Sequence, residues 1–155
     1  ENYKKDEKTG ADNVINEAYS IGGMAYGVTP LDMAEAYASF ANGGYHIETH
    51  AVTKIEYRST GETVDFSEEK KKVMSDSTAY LMNNVLKYAV DYGFNGGAKV
   101  AGSTVAAKTG TSNLSEATTK ALGIPRSAVN DLWTVAYTPE YSVALWYGYE
   151  KVVTI

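Results

Sequence analysis

Two β-rich runs with only four residues between them constrain this chain more than any other feature. Leu132 to Tyr137 and Ser142 to Tyr149 are rich in Val, Leu, Trp and Tyr, and Thr138-Pro139-Glu140-Tyr141 joins them. A parallel pair needs a crossover of about a dozen residues or more, so strands joined this tightly must pair antiparallel. A third strand-like run, Thr104-Val105-Ala106-Ala107-Lys108-Thr109, is a candidate neighbour in the same sheet. The polar stretch from Ser112 to Asn130 then reads as a linker.

Helices are predicted upstream. Thr29 can cap a helix, Pro30 fits its first position, and Asp32 stands three residues after the cap. Leu31, Ala34, Ala38 and Ala41 form one apolar stripe, with Met33, Tyr37 and Phe40 beside it. Two stripes predict a helix buried on more than one side, stopped by Asn42-Gly43-Gly44. A second helix runs from a cap at Ser75 or Asp76 to about Tyr92, with Leu81, Val85 and Tyr88 on one face and Met82, Leu86 and Ala89 beside it. Between them, Thr53, Ile55 and Tyr57, then Ser59-Thr60-Gly61-Glu62, then Val64 and Phe66 predict a hairpin. Glu1 to Thr9 reads as an exposed end, and Ser67 to Lys72 as a solvated connector. The class is α+β, an antiparallel sheet with flanking helices.

Composition narrows the function. With 44% hydrophobic and 21% charged residues the chain is globular, not disordered. The absence of Cys excludes a disulfide scaffold and thiolate metal sites without fixing a compartment. A net charge of -5 gives no electrostatic reason to bind nucleic acid. No apolar run approaches the roughly 20 residues of a membrane span. The 13 Tyr residues suit a long binding cleft. A length of 155 residues matches one modest domain, yet the chain opens on Glu1 and closes on Val152-Val153-Thr154-Ile155, apolar where domain ends are polar. The expectation is a fragment.

Four local signals could carry chemistry. His46 and His50 have the spacing of a zinc pair on a helix, but here they follow Gly43-Gly44 into a strand, and the chain has no third His. Gly102 to Thr109 falls one residue short of a phosphate-binding loop, because Ala107 stands where Gly is needed. Ser67-Glu68-Glu69-Lys70 matches a Ser-x-x-Lys nucleophile motif, but five consecutive charges keep Lys70 hydrated and protonated. The fourth is Lys108-Thr109-Gly110-Thr111. A strand carrying a cation, then Gly, then a hydroxyl can present charge and hydrogen bonds to an extended anionic peptide, and a backbone amide there can donate to an oxyanion.

Four blocks stand together in order: Gly27-Val28-Thr29-Pro30-Leu31-Asp32-Met33-Ala34 with Ala36 to Gly44, then Lys108-Thr109-Gly110-Thr111-Ser112-Asn113, then Asp131-Leu132-Trp133, then Tyr137-Thr138-Pro139. From about Ile21 to Tyr149 the chain resembles the C-terminal half of the transpeptidase domain of class A penicillin-binding proteins. The resemblance implies a penicillin-binding, serine β-lactamase-like fold, of which residues 1–155 are the C-terminal portion. It implies cross-linking of peptidoglycan: attack on a D-Ala-D-Ala stem peptide, a serine acyl-enzyme, and transfer to an amine, with β-lactams acylating the same serine. The implied roles are positive potential from Lys108, hydroxyls from Thr109 and Thr111 for the substrate carboxylate, an oxyanion-hole amide from Thr111, clearance at Gly110, and substrate contact from Ser112 and Asn113. Asp131 and Trp133 would fix the neighbouring strand.

The same resemblance implies no metal or organic cofactor, no nucleic-acid partner, and a location outside the cytoplasmic membrane through an anchor beyond these residues. Departures are specific. Thr134 and Ala136 replace the family's usual aromatic and Gly, and the long stretch Leu114 to Asn130 suits a Gram-positive-like subset. Apart from Ser67, the chain has no Ser-x-x-Lys, and it has no Ser-x-Asn. Both precede Lys-Thr-Gly in the family, so the partner that carries them is expected upstream of Glu1. A serine carboxypeptidase or β-lactamase, or a catalytically inactive penicillin-binding sensor, would share the same wall.

Overall fold

Local capping chemistry sets the first helix. In a computed structural model, which describes residues 17–22, 27–66 and 69–149, α1 spans Pro30–Ala41 with Thr29 as its cap. The Thr29 hydroxyl accepts from the Asp32 amide at 3.1 Å, and an Asp32 carboxylate oxygen accepts from the Thr29 amide at 3.0 Å. The Thr29 hydroxyl, which also donates to that carboxylate at 2.8 Å, and the Thr29 amide hold the Asp32 carboxyl below its usual range. A short 3-10 turn, Glu17–Ile21, precedes it. The helix is less interior than its two stripes predict: Ser39 alone is buried, Tyr37 and Phe40 are half-buried, and Leu31 is exposed.

After α1 come β1 (Tyr45–Ile47), β2 (Lys54–Glu56), β3 (Thr63–Asp65) and β4 (Lys70–Lys72). β2 and β3 form the expected hairpin, with Gly61 at φ 73° in its turn. Lys70, Lys71 and Lys72 were expected in a solvated connector, but they form a strand paired antiparallel to β1, Tyr45 opposite Lys72. The Lys72 ammonium lies 4.1 Å from the centre of the Tyr45 ring and donates to the Gly43 carbonyl at 2.9 Å. A cation that bonds a carbonyl and covers a ring can sit in a strand without being buried.

α2 spans Asp76–Asp91, capped by the Ser75 hydroxyl, and ends at Tyr92. It buries Ala79, Leu86 and Val90. The predicted face behaves otherwise: Leu81, Val85 and Tyr88 are 62%, 61% and 64% exposed. β5 (Ala106–Asn113), α3 (Glu116–Leu122), β6 (Val129–Tyr137) and β7 (Ser142–Gly148) complete the described chain. The polar stretch thus holds the end of one strand, a short helix capped by Ser115 and closed by Gly123 at φ 64°, and the start of another strand.

The three long strands form an antiparallel sheet in the order β5-β6-β7, as the short joint requires. One face packs on the helices. Leu86, Ala106 and Tyr137 form a buried cluster against Tyr37, Phe40 and Met82. The Tyr137 hydroxyl donates to Asn83 Oδ1 at 2.6 Å, and Asn83 Nδ2 donates to the Phe40 carbonyl at 2.9 Å, tying α1, α2 and the sheet together. Burial, with the neighbouring Tyr37, pushes the Tyr137 phenol up to about 12, so it remains a donor. At the other end of α2, Val90 packs with Val105 and Ala107. On the far face of the sheet, Val143, Leu145 and Tyr147 are exposed.

Candidate functional site

The hydrogen-bond parity of the sheet decides what β5 can offer. The Thr138 amide donates to the Tyr141 carbonyl at 2.8 Å, one step beyond the pair Tyr137 and Ser142. Along an antiparallel strand, alternate residues turn their backbone polar groups to opposite sides. Thr138, Ala136, Thr134 and Leu132 therefore bond toward β7, while Tyr137, Val135, Trp133 and Asp131 bond toward β5. Their partners in β5 are Ala106, Lys108, Gly110 and Ser112. What remains is Ala107, Thr109 and Thr111, whose N–H and C=O groups face the outer edge. Among the described residues no strand covers that edge.

Side chains alternate with the same period. Lys108, Gly110 and Ser112 share the face of Val135, Trp133 and α1, whereas Thr109 and Thr111 share the face of Thr134 and Leu132. From Lys108 to Asn113 every residue is exposed. Beside them runs a groove of about 180 Å³, closed by Val28, Met33 and Tyr37 on one side and Trp133 below. A Cβ at Gly110 would stand 3.4 Å from the Trp133 Cβ, so the glycine keeps that floor clear. The strand bulges between Ser112 and Asn113, which ends the regular edge.

Specific bonds position these groups. The Lys108 ammonium donates to the Thr109 carbonyl. The Thr109 hydroxyl donates to Asn95 Oδ1 at 3.1 Å, and Asn95 Nδ2 donates to the Ala107 carbonyl at 2.8 Å. Asn95 itself is buried. Asp131 accepts from Trp146 Nε1 at 2.8 Å and from Asn130 Nδ2 at 2.7 Å, which clasps β6 to β7 and involves no group of the β5 edge. A Cβ at Gly148 would meet the Asn130 carbonyl at 2.5 Å, so this clasp depends on glycine.

The structure gathers Lys108, Thr109, Gly110, Thr111, Ser112 and Asn113 on one edge strand. The other sequence signals lead elsewhere. His46 pairs with Glu35 on α1, while the His50 ring donates to the Glu48 carbonyl at 3.2 Å, so the two rings serve different partners. Burial raises the Glu35 carboxyl, but bonds from Thr49 and the contact with His46 outweigh it and leave it lowered. Gly102 to Thr109 runs from a turn directly into β5, which continues as strand to Asn113 where a phosphate loop would open a helix. Ser67 and Glu68 lie outside the described residues, as do Glu1 to Thr9 and Val152 to Ile155. Asn95 is the site residue that sequence reasoning missed. An Asn next to Gly96-Gly97 reads as a turn residue, and its partners lie 12 and 14 positions away.

Comparison with known proteins adds four findings. A family model described as the penicillin binding protein transpeptidase domain matches residues 2–149. Penicillin-binding protein 1A/1B of Bacillus subtilis is 44% identical over 136 residues, covering 86% of this chain and 15% of that protein. Penicillin-binding protein 1A of Streptococcus oralis is 35% identical, covering 92% of this chain and 22% of its own length. Among solved structures, the penicillin-binding protein PonA1 from Mycobacterium tuberculosis superposes with a TM-score of 0.61 at 30% identity, covering 76% of this chain and 28% of that one. The chain therefore spans less than a quarter of the first curated relatives it matches, 15% and 22% of their lengths.

Proposed function

Because the chain belongs to the penicillin-binding protein transpeptidase family, we propose that it supplies one wall of a peptidoglycan D,D-transpeptidase site. The observation that carries this reading is the open edge of β5, where Thr109 and Thr111 turn their backbone groups outward beside the Lys108 cation. A stem peptide ending in D-Ala-D-Ala is extended and anionic at its terminus, so it can add to such an edge by main-chain hydrogen bonds. Its carboxylate would take the Thr111 hydroxyl and, once it rotates away from Asn95 Oδ1, the Thr109 hydroxyl, with Ser112 and Asn113 further along the edge.

The serine comes from the rest of the domain, with its Ser-x-x-Lys and Ser-x-Asn motifs. Its oxygen attacks the penultimate D-Ala carbonyl, and the Thr111 N–H donates to the oxyanion as the carbon becomes tetrahedral. Collapse breaks the C–N bond and releases D-Ala, whose amine takes the serine's proton. An acceptor amine then attacks the ester, forms the cross-link, and returns a proton to the serine oxygen. Lys108 holds positive potential beside that oxygen throughout. A β-lactam follows the first half of the sequence and stays attached. Among the described residues no helix is long and apolar enough to cross a membrane, and in this reading the anchor that holds the site outside the cytoplasmic membrane belongs to another part of the protein.

A fluorescent penicillin tests the assignment. The full-length protein should carry the label on a serine outside residues 1–155, the isolated chain should carry none, and Lys108→Ala in the full-length protein should slow second-order acylation. An adduct on Ser67, or unchanged acylation of Lys108→Ala, would overturn it.

A further inference from the structure

We propose that the pocket where β5 begins and β6 ends binds a small organic acid, an apolar body about one ring in size that carries a carboxylate. The pocket lies between α1, α2 and the sheet and holds about 170 Å³. An apolar cavity of about 150 Å³ is enough to bind benzene, so a single ring has room here. Its apolar lining is Ala41 from the end of α1, Ala106 from β5, Tyr137 from β6, and Pro139 from the joint to β7. A wall of aromatic rings separates it from the groove beside Lys108. Tyr37 lines that groove, Tyr137 lines this pocket, and their ring centres are 6.3 Å apart.

The polar groups of the lining set the charge of the ligand. Several already have partners. The Tyr137 phenol donates to Asn83 Oδ1 at 2.6 Å, and Asn83 Nδ2 donates to the Phe40 carbonyl at 2.9 Å. The Thr138 hydroxyl donates to the Glu140 carboxylate at 3.1 Å and accepts from the Glu140 and Tyr141 amides. Glu140 itself does not line the pocket.

Three groups are left for a ligand. Among the described residues nothing pairs with the Lys87 ammonium or the Thr104 hydroxyl. Asn84 Nδ2 donates to the Tyr80 carbonyl at 3.0 Å, which leaves Oδ1 as an acceptor. Asn84 and Lys87 stand three residues apart on α2, so they share a side of the helix. Lys87 is the one charged residue among the described lining, and no carboxylate there offsets it. An ammonium and a hydroxyl are the donors that the two oxygens of a carboxylate require, and Asn84 Oδ1 suits an O–H elsewhere on the ligand. A mostly apolar pocket with a few polar groups is the usual form of a small-molecule site.

The probe is para-hydroxybenzoate, titrated into the full-length protein by calorimetry and followed by ligand-observed NMR. It should saturate with millimolar affinity, the range open to a ligand of about ten heavy atoms. The matching amine, para-hydroxybenzylamine, should not bind, because Lys87 repels it. Lys87→Ala should weaken the acid about fivefold, the upper end for an exposed ion pair. Thr104→Val should weaken it about threefold, the scale of one net hydrogen bond. Ala41→Phe adds a ring at an exposed helix end bordering the pocket, and should abolish binding by taking the space. Lys108→Ala should leave the affinity unchanged, since that cation serves the other groove.

Three results would overturn the proposal. One is an amine that binds as tightly as the acid. Another is affinity lost with Lys108→Ala and kept with Lys87→Ala, which puts the acid on the β5 wall instead. The third is no saturable binding to the full-length protein, which means that another part of the protein fills the pocket. Should Ala41→Phe fail to fold, the exposed Lys87→Ala and Thr104→Val decide the matter, and unchanged affinity in both refutes the site. The pocket makes no use of the β5 edge, so its failure would leave the transpeptidase reading untouched.

Discussion

Replacing Thr111 with proline removes one backbone N–H and no side chain could do the same. In a central strand this would break the ladder, since proline cannot donate and is confined to edges and bulges. At position 111 the parity of β5 puts the N–H on the open edge, so no bond to β6 is lost. The fold should survive Thr111→Pro, whereas Gly110→Pro, whose N–H is turned toward Trp133, should melt several degrees lower. The catalytic effect should be the reverse. Loss of a single oxyanion donor typically costs about 10²–10³ in rate, about 2.7–4 kcal/mol.

Thr111→Val separates this from the lost hydroxyl, because it keeps the amide; it should retain most of the acylation that Thr111→Pro loses. The assay is second-order acylation of the full-length protein by a fluorescent penicillin, with thermal melting of each variant alongside. Two results would refute the reasoning. Folded Thr111→Pro acylating at the wild-type rate removes the Thr111 amide from the oxyanion hole. Thr111→Pro melting as low as Gly110→Pro shows that the strand's hydrogen bonds run with the opposite parity.

Other expectations concern the frame around the site. Gly44 has φ 88°, and a Cβ there would lie 2.5 Å from the Met74 carbonyl, which cannot retreat while the Gly44 carbonyl binds the Val73 amide at 2.9 Å. Gly44→Ala should therefore combine a left-handed backbone penalty of about 1–2 kcal/mol with an overpacking cost of about 1–3 kcal/mol. Gly61→Ala, at φ 73° with open space around it, should show only the first, and equal losses in urea unfolding would contradict this. Glu35 has a lowered carboxyl, so its bonds to Thr49 and His46 stabilise the fold above the ordinary value of 4.5 and fade as pH falls through the lower folded value. The stability gap between wild type and Glu35→Gln should be full at neutral pH and close in acid; a gap that widens in acid would contradict the sign.

What could be read from the sequence was what is written locally. Thr29, Pro30 and Asp32 specify the start of α1 within four residues, and the structure shows the reciprocal bonds they predict. Four residues between β6 and β7 leave no alternative to an antiparallel pair. The Lys108 to Asn113 block was legible because its chemistry lies in consecutive residues. What could not be read depends on distant partners. Lys70 to Lys72 look like solvent-facing charge until Tyr45 and Gly43 meet them across the sheet. Asn95 has no local mark, because the two groups that explain it belong to a strand that begins beyond a further turn. The short α3 carries a Ser115 cap and Gly123 stop, yet seven residues offer too little apolar period to separate helix from linker.

The uncovered faces have a consequence for the molecule's company. β5 and β7 both end the sheet, but they end it differently: one with Thr, Gly and Lys, the other beside exposed Val143, Leu145 and Tyr147. Sheet proteins ordinarily blunt their margins to avoid joining other chains. A substrate strand requires the β5 margin to stay receptive, so that defence is unavailable there. The hydroxyls and the cation make this margin soluble while leaving it able to pair, and the burial of Ala107 shortens it. Among the described residues nothing comparable protects the apolar side at β7. Released from its neighbours, the sheet would be quiet where it reacts and adhesive where it does not.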